Sequence, residues 1–161
     1  MDRQLLSDLY CRYRKELFLY IYSLCGRREL AEDILQETFL KAILSLPDSH
    51  TNMKAWLYMV GRNLCFNYLK KEKRQLSTEG WERFSEEGED LIEGMIVQEE
   101  RRSLYLALAH LDRRKREVLE LQYFGKLPQK EIAKIMGLSP ENVRVLSYRA
   151  KKEMKQYLEV E

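Results

Sequence analysis

The stretch from Gln129 to Lys152, QKEIAKIMGLSPENVRVLSYRAKK, decides the fold of the C-terminal part of the chain. It predicts a short helix, a tight turn and a second, positively charged helix. The apolar face of the first helix, at helical spacing, is formed by Ile132, Ala133 and Met136. Gly137 can adopt the left-handed conformation that ends a helix. Ser139 is placed to cap the second helix, with Pro140 at its first position. The pattern is typical of a helix-turn-helix.

In a helix-turn-helix the second helix enters the major groove of DNA. Val143 and Leu146, with Ala150 continuing their face, are expected to pack against the first helix, which leaves Ser147 at the margin. The side chains expected on or near the outward surface are Glu141, Arg144, Val145, Tyr148, Arg149, Lys151 and Lys152. An ordinary helical hairpin with a solvated basic face is the alternative interpretation.

The composition of the 161 residues predicts an all-α protein. Apolar residues make up 45% and charged residues 34% of the chain, prolines number only three, and no alternating β-branched run is present. No apolar stretch reaches the ~18–20 residues of a membrane span, and the N-terminus lacks a signal-peptide core. We therefore expect a cytoplasmic protein without membrane insertion of its own.

The distribution of charge predicts two small helical domains joined by an acidic, flexible linker. Residues 1–74 hold 13 Lys+Arg against 9 Asp+Glu, residues 75–100 hold 1 against 9, and residues 101–161 hold 14 against 8. With the glycines of the acidic part, this places the domains at 1–74 and 99–161 and the linker at 75–98. Basic domains are suited to bind a polyanion.

Three helices are predicted in the N-terminal domain: Leu5–Cys25, ended by Gly26, then Glu29–Leu46, and Met53–Arg74. The second is expected to turn Ile43 and five other side chains inward. The third is expected to bury a face that includes Tyr68. The first helix is rich in tyrosine, with Tyr10, Tyr13, Tyr20 and Tyr22, which we interpret as core.

Two helices are predicted ahead of the helix-turn-helix in the C-terminal domain, from Glu99 to Leu111 and from Arg113 to Phe124. Asp112 is the candidate cap of the second. Its apolar face is expected to consist of Val118, Leu119, Leu121 and Tyr123.

Two exposed faces in the N-terminal domain are more specific than helix stability requires. One face of the second helix collects Asp33, Gln36, Glu37 and Lys41, an acid–amide cluster suited to a basic partner helix. The third helix presents the basic and amide side chains Arg62, Asn63, Asn67, Lys70 and Lys71 and continues to Lys73 and Arg74. Such a mixture suits single-stranded nucleic acid, whose phosphates need charge and whose bases need hydrogen bonds and stacking.

No catalytic, metal or cofactor site is predicted. The two histidines have no acidic or cysteine partner at ligand spacing, and no phosphate loop or nucleophile elbow is present. Cys11, Cys25 and Cys65 are odd in number and far apart, which indicates reduced thiols. Asp33 and Glu37 lack the matching acids of a di-metal site.

Three segments resemble, in the expected order, the extracytoplasmic-function (ECF) sigma factors of bacterial RNA polymerase. AEDILQETFLKAI, from Ala31 to Ile43, is similar to their core-polymerase-binding helix. The segment from Met53 to Arg74 is similar to their promoter-melting segment. The segment from Leu106 to Met154 resembles their promoter-reading domain. Family members often carry a second basic residue at the position of Leu146 and a leucine at that of Ser147.

The resemblance implies roles for the exposed faces. Core polymerase would be bound by Asp33, Gln36, Glu37 and Phe39. The melted −10 strand would be held by Arg62, Asn63, Asn67 and Tyr68, with phosphates gripped by Lys70, Lys71, Lys73 and Arg74. The −35 element would be read by Glu141, Arg144, Val145, Tyr148 and Arg149, with Lys151 and Lys152 on phosphates.

The partners implied are core RNA polymerase, promoter DNA and an anti-sigma factor, and catalysis would belong to the core enzyme. One alternative is a stand-alone helix-turn-helix regulator, which does not explain the acidic face or the basic–amide face. A second alternative is a polymerase-binding adaptor or anti-sigma protein, which does not explain the helix-turn-helix. A third is a nucleic-acid enzyme, for which catalytic residues are missing.

Overall fold

The computed structural model describes residues 3–45, 52–72 and 106–160, and all regular structure in these ranges is helical. The chain divides into two compact units, Met1–Leu76 and Ser77–Glu161, which we call the first and second domains. The all-α prediction is confirmed. The predicted acidic linker lies outside the described residues.

The first domain contains three helices: α1 (Arg3–Cys25), α2 (Arg28–Ser45) and α3 (Met53–Lys71). Each packs against the other two. Gly26 ends α1 in the left-handed region, with φ of 72°, as its position in the sequence predicts. Asn52 caps α3 by accepting a hydrogen bond from the backbone N–H of Ala55 (3.0 Å).

The second half of α1 forms the centre of this domain. Every residue from Leu17 to Cys25 is buried, because α2 and α3 both pack on this part of the helix. A Cβ atom added to Gly61 of α3 would lie 3.2 Å from Ile21 Cδ1, so glycine permits the close approach of these helices. Of the tyrosines interpreted as core, Tyr20 and Tyr22 are buried in this half of α1, whereas Tyr13 is half-buried and Tyr10 is 38% exposed, so the prediction for Tyr10 is wrong.

Two positions of α2 differ from the sequence expectation. Ile43, expected to face inward, is 43% exposed, so that prediction is wrong. Phe39 is buried and its ring meets Tyr10 edge-on at a centroid distance of 5.1 Å. The aromatic pair accounts for the difference, since the large ring of Phe39 fills the contact with α1 and leaves Ile43 toward solvent.

The buried residues of α3 are Ala55, Leu57, Tyr58, Gly61, Cys65 and Leu69. In the second half of the helix, Gly61, Cys65 and Leu69 follow one another at intervals of four residues, and Tyr68 lies beside this buried stripe. Tyr68 is therefore 38% exposed, and its predicted burial is wrong. Gly61 has no side chain, which lets α3 approach Ile21 of α1 closely, and Cys65 is small and fully buried. A scale based on hydrophobicity alone undervalues both positions.

The second domain begins, in the described residues, with a helical end at 106–108, followed by α4 (Arg113–Leu119). Asp112 caps α4 by accepting from the Lys115 backbone N–H (3.0 Å), as the sequence suggests. A π-helical segment, Glu120–Phe124, continues α4. Together they match the predicted helix Arg113–Phe124.

The π-helical segment changes which side chain faces the core. Tyr123, expected on the apolar face, is 49% exposed, whereas Phe124 is buried. The backbone N–H of Gly125 donates to the Glu120 carbonyl (2.9 Å), which gives the wider turn. The extra residue in this turn displaces the apolar pattern by one position, so the prediction for Tyr123 is wrong.

The helix-turn-helix is confirmed. It consists of α5 (Gln129–Met136) and α6 (Pro140–Val160), joined through Gly137 with φ of 67°. The Leu138 N–H donates back to the Ala133 carbonyl (2.9 Å), which closes the end of α5. The Ser139 hydroxyl oxygen accepts from the Asn142 N–H (3.1 Å), so the cap predicted for α6 is present.

The buried face of α6 is formed by Val143, Ser147, Ala150 and Met154. Leu146, expected in the core, is only half-buried, whereas Ser147 is 3% exposed. The prediction that Leu146 packs in the core and Ser147 lies at its margin is therefore wrong. The physical reason is a hydrogen bond to Gln122 of the π-helical segment, which gives the serine hydroxyl a partner inside the domain.

Candidate nucleic-acid and polymerase interface

The first exposed surface, which we call the α2 face, has an acidic half and an apolar half. Asp33, Gln36 and Glu37 are all exposed, in agreement with the sequence interpretation. Leu40 and Leu44 follow at positions that continue the same helical face, and their side chains are 53% and 75% exposed. The apolar half was missed, although the seven- and eleven-residue intervals from Asp33 could have revealed it.

Phe39 does not belong to this surface, because it is buried against α1. It lies between Thr38, which is also buried, and the exposed Leu40. The Thr38 hydroxyl donates to the Ile34 carbonyl one turn earlier (2.7 Å). Phe39 therefore holds α2 against α1 and supports the exposed face from behind.

The second surface, the α3 face, carries the basic and amide side chains of α3. Asn63, Asn67 and Lys70 lie at intervals of four and three residues, so they share one stripe. Arg62 flanks this stripe, with its guanidinium carbon 4.1 Å from the ring centroid of Phe66. This stacking orients a cation beside the amides. Lys73 and Arg74 lie outside the described residues.

A groove of about 500 Å³ separates α2 from α3. Asp33 and Glu37 line it from α2, and Asn67, Tyr68 and Lys71 line it from α3. Side chains assigned to two different roles from the sequence thus meet in one place. Acidic groups stand across from a lysine there, so the groove has both signs of charge.

Arg27 also lines this groove and was missed by the sequence interpretation. Its Nη2 donates to the Tyr68 hydroxyl (3.4 Å), and its Nη1 pairs with Glu72 Oε2 (3.4 Å). Burial lowers the pKa of Arg27, but the hydrogen bond to Tyr68 and the charge of Glu72 outweigh it and raise the pKa above its ordinary value. No sequence signal joins residues 27 and 68.

The third surface is the outward face of α6. All seven side chains expected to contact the −35 element are exposed: Glu141, Arg144, Val145, Tyr148, Arg149, Lys151 and Lys152. Arg144 forms an ion pair with Glu141 one turn earlier. Lys151 lies over the ring of Tyr123, with Nζ 5.5 Å from the centroid. The exposed Tyr123 therefore adds an aromatic group beside the basic end of this face.

A buried hydrogen bond joins α6 to the π-helical segment. The Ser147 hydroxyl donates to Gln122 Oε1 (2.6 Å), and Gln122 is half-buried. Gly125 keeps the following turn tight, since a Cβ atom there would lie 2.8 Å from the Leu121 carbonyl oxygen. The π-helical segment thus presents an acceptor to the inward face of α6.

Three buried charges lie in α4 and at the start of the π-helical segment. Arg116, Glu117 and Glu120 are each 1% exposed, and Arg116 Nε lies 3.7 Å from Glu120 Oε1. Desolvation lowers the pKa of Arg116, and the two carboxylates oppose that effect. Charges in such positions require their partners, because a lone buried charge is strongly destabilising.

An apolar groove of about 380 Å³ lies between the π-helical segment and α6. Its lining includes Leu119, Phe124, Met154 and Leu158, with Lys151 and Lys155 also contributing. The charge analysis of the sequence gave no indication of it. The groove forms where α6 extends beyond the helix-turn-helix and carries the apolar side chains of Met154 and Leu158.

In the described ranges, no group of three or more histidine, cysteine or acidic side chains is arranged to hold a metal ion. Within the same residues, no helix combines the length and hydropathy needed to cross a bilayer. The three cysteines are free thiols: Cys11 is exposed, and Cys25 and Cys65 are buried.

Two family models match the chain in the order suggested by these surfaces. The model of sigma-70 region 2 matches residues 9–75, which include the α2 and α3 faces. The model of sigma-70 region 4 matches residues 101–154, which include the helix-turn-helix.

Two bacterial sigma factors are similar in sequence over nearly the whole chain. The ECF RNA polymerase sigma factor SigM of Bacillus subtilis is 29% identical, with 93% of each chain covered. The RNA polymerase sigma factor YlaC of the same organism is 28% identical, with 95% of this chain and 91% of YlaC covered.

Two solved structures share the fold. CnrH in complex with the cytosolic domain of CnrY matches with a TM-score of 0.65 and 22% identity, over 99% of this chain and 91% of that one. RpoE of Bartonella quintana, in complex with the anti-sigma factor NepR, matches with a TM-score of 0.65 and 19% identity, over 96% and 98%.

Proposed function

Because the chain belongs to the ECF sigma factors of bacterial RNA polymerase, we propose that its three exposed faces divide promoter recognition among them. The α2 face binds core polymerase, the α3 face holds the melted −10 strand, and the outward face of α6 reads the −35 element. The observation that carries this assignment is that the predicted side chains within the described residues, Phe39 excepted, are exposed on the two matched segments, or half-buried in the case of Arg62.

Binding to core polymerase rests on the mixed character of the α2 face. Asp33 and Glu37 supply charge that sets register and association rate against a basic partner. Leu40 and Leu44 supply apolar area, which stabilises the complex once water is excluded. Phe39 contributes indirectly, by holding α2 against α1.

Strand opening rests on the α3 face. The amides of Asn63 and Asn67 can hydrogen-bond unpaired base edges, while Arg62, Lys70 and Lys71 neutralise phosphates. Tyr68, with its ring partly exposed, offers a surface for base stacking. Capturing an unpaired base shifts the equilibrium from duplex to open DNA.

Recognition of the −35 element rests on the outward face of α6. Arg144 and Arg149 can contact guanine edges or phosphates, Glu141 can accept from cytosine, and Lys151 and Lys152 add phosphate contacts. Phosphodiester chemistry belongs to the core enzyme, and this chain supplies sequence recognition. Such a subunit acts where transcription occurs, in the cytoplasm.

An anti-sigma factor is a further proposed partner. RpoE, one of the proteins of the same fold, was solved with an anti-sigma factor bound. The apolar groove of the second domain and the exposed leucines of α2 are surfaces that such a protein could cover. The division into domains at 1–74 and 99–161, with an acidic linker between, belongs to the same proposal.

The first test is co-elution of the purified chain with bacterial core RNA polymerase on gel filtration. We expect a stoichiometric complex, followed by run-off transcription from the DNA upstream of its own gene. No complex from a folded chain, together with duplex binding without polymerase, would favour the stand-alone regulator instead.

Charge reversal tests the α2 face. Glu37→Lys is expected to abolish co-elution while circular dichroism stays unchanged, because an exposed side chain adds little to folding. Glu32→Lys is the matched control, since Glu32 is exposed on the same helix but off the α2 face. Equal effects of the two substitutions would contradict a specific role for Glu37.

A further inference from the structure

Arg27 is placed where it can control an aromatic side chain of the α3 face. It directly follows Gly26, whose left-handed φ of 72° turns the chain between α1 and α2. From there its side chain crosses to the end of α3. The guanidinium carbon lies 5.6 Å from the ring centroid of Tyr68.

Two further contacts fix the guanidinium at this position. Nη2 donates to the Tyr68 hydroxyl and Nη1 to Glu72 Oε2, both at 3.4 Å. Tyr68 and Glu72 are four residues apart, so both lie on one edge of α3. The side chains of Arg27 and Glu72 are only 25% and 31% exposed, which limits the screening of their attraction by water.

A planar guanidinium is better suited than an ammonium group to make these three contacts together. The guanidinium stacks on a ring and donates in two directions at once, whereas lysine is a point charge on a flexible chain. The contacts leave the ring of Tyr68 38% exposed beside the groove that Asn67 and Lys71 also line.

We propose that Arg27 is a positioning residue for Tyr68, holding its ring at the edge of the groove in the orientation that stacks on an unpaired base of the melted strand. The inference rests on the proposed role of the α3 face in strand opening. A ring already fixed loses less conformational freedom when a base stacks on it, so opening is favoured. Arg27 does not itself need to touch DNA.

The test uses the holoenzyme reconstituted from the full chain and core polymerase. The probe is a promoter fragment with 2-aminopurine in the non-template strand of the −10 element, whose fluorescence rises on unstacking. Arg27→Gln is expected to lower the open-complex equilibrium constant about fivefold, the size of a partly exposed cation–π contact with a hydrogen bond. Arg27→Lys should recover only part of this loss.

Arg28→Gln is the matched control. Arg28 is the next residue, is well exposed and pairs with Glu32 on its own helix, so opening should stay within twofold of the native value. Core binding and the unfolding temperature are measured for every variant. A loss of opening with unchanged core binding and unfolding temperature supports positioning rather than a structural effect.

A double substitution shows whether Arg27 acts through Tyr68. In the Tyr68→Ala background, Arg27→Gln is expected to cause no further loss of opening. An equal loss in both backgrounds would overturn the proposal. So would a decrease of about 0.7 in the salt slope on Arg27→Gln, which would indicate a direct phosphate contact to single-stranded DNA.

Failure of the inference is distinguishable from failure of the proposed function. If Tyr68→Ala and Asn63→Ala impair opening but Arg27→Gln does not, the positioning role is wrong and the α3 face keeps its role. If none of the three impairs opening, the role of the α3 face is wrong, and the positioning role with it.

Discussion

Removal of the Ser147 hydroxyl is expected to loosen the recognition helix from the π-helical segment. The hydroxyl donates to Gln122 Oε1 at 2.6 Å, and Ser147 is almost fully buried. Ser147→Ala deletes this bond, but the half-buried amide of Gln122 can still reach water. The free energy of unfolding should therefore fall by about 1 kcal/mol, the net value of one hydrogen bond when the remaining partner is not left buried without water.

Gln122→Ala removes the acceptor instead and should cost less. The Ser147 hydroxyl can rotate to the Val143 carbonyl, one turn earlier in α6. Urea unfolding of the full chain measures both substitutions and their combination, and Ser7→Ala, at an exposed position in α1, is the control. We expect a coupling energy of at least about 0.5 kcal/mol between the two substitutions.

The same variants report on DNA binding. If the bond orients α6, Ser147→Ala should weaken binding of the holoenzyme to a −35-containing promoter by about three- to fivefold without changing base preference. This loss of affinity is a small fraction of the interface energy. Additive effects on stability, with a coupling energy near zero, would refute the reasoning. The buried serine would then be a packing residue only.

Three further predictions concern other parts of the molecule. Arg144→Ala should cost on the order of 1–3 kcal/mol of −35 discrimination if Arg144 contacts a base edge. Competition between base-substituted promoters measures this discrimination. An equal loss of affinity for all promoter sequences would instead indicate a phosphate contact. Gly137→Ala should destabilise the chain by about 1 kcal/mol, because the φ of 67° is unfavourable for alanine. Steric clash does not contribute, since no atom lies within 4 Å of the added Cβ. An unchanged urea midpoint would contradict backbone strain. Iodoacetamide should modify exposed Cys11 first and buried Cys25 and Cys65 only on unfolding, as followed by mass spectrometry; equal native labelling rates would contradict the burial.

Local patterns predicted the helices and the turn between α5 and α6. A cap, a helix stop and a left-handed glycine act within a few residues, so Gly26, Gly137 and Ser139 could be interpreted without the rest of the chain. The exposed acidic and basic side chains were identified for a similar reason, since charged groups stay in water unless paired.

The errors occur where a contact from another helix decides the position. Tyr68 was expected on the buried face because it follows the helical spacing of the apolar residues of α3, but Gly61 and Cys65 are buried there and Tyr68 is 38% exposed. Phe39 was placed on a docking surface, and its ring packs on Tyr10. Arg27 carried no signal because its partners lie more than forty residues away in sequence.

The sequence by itself determined the all-α class, the helix-turn-helix and most of the charged and amide side chains that face solvent on α2, α3 and α6. Helix period, capping and charge are local properties, which is why they could be interpreted from sequence alone. Only the tertiary structure decided that Ser147 rather than Leu146 is buried and that Arg27 reaches Tyr68. Burial of a serine or placement of an arginine depends on a partner supplied by a distant segment, and no local pattern specifies that partner.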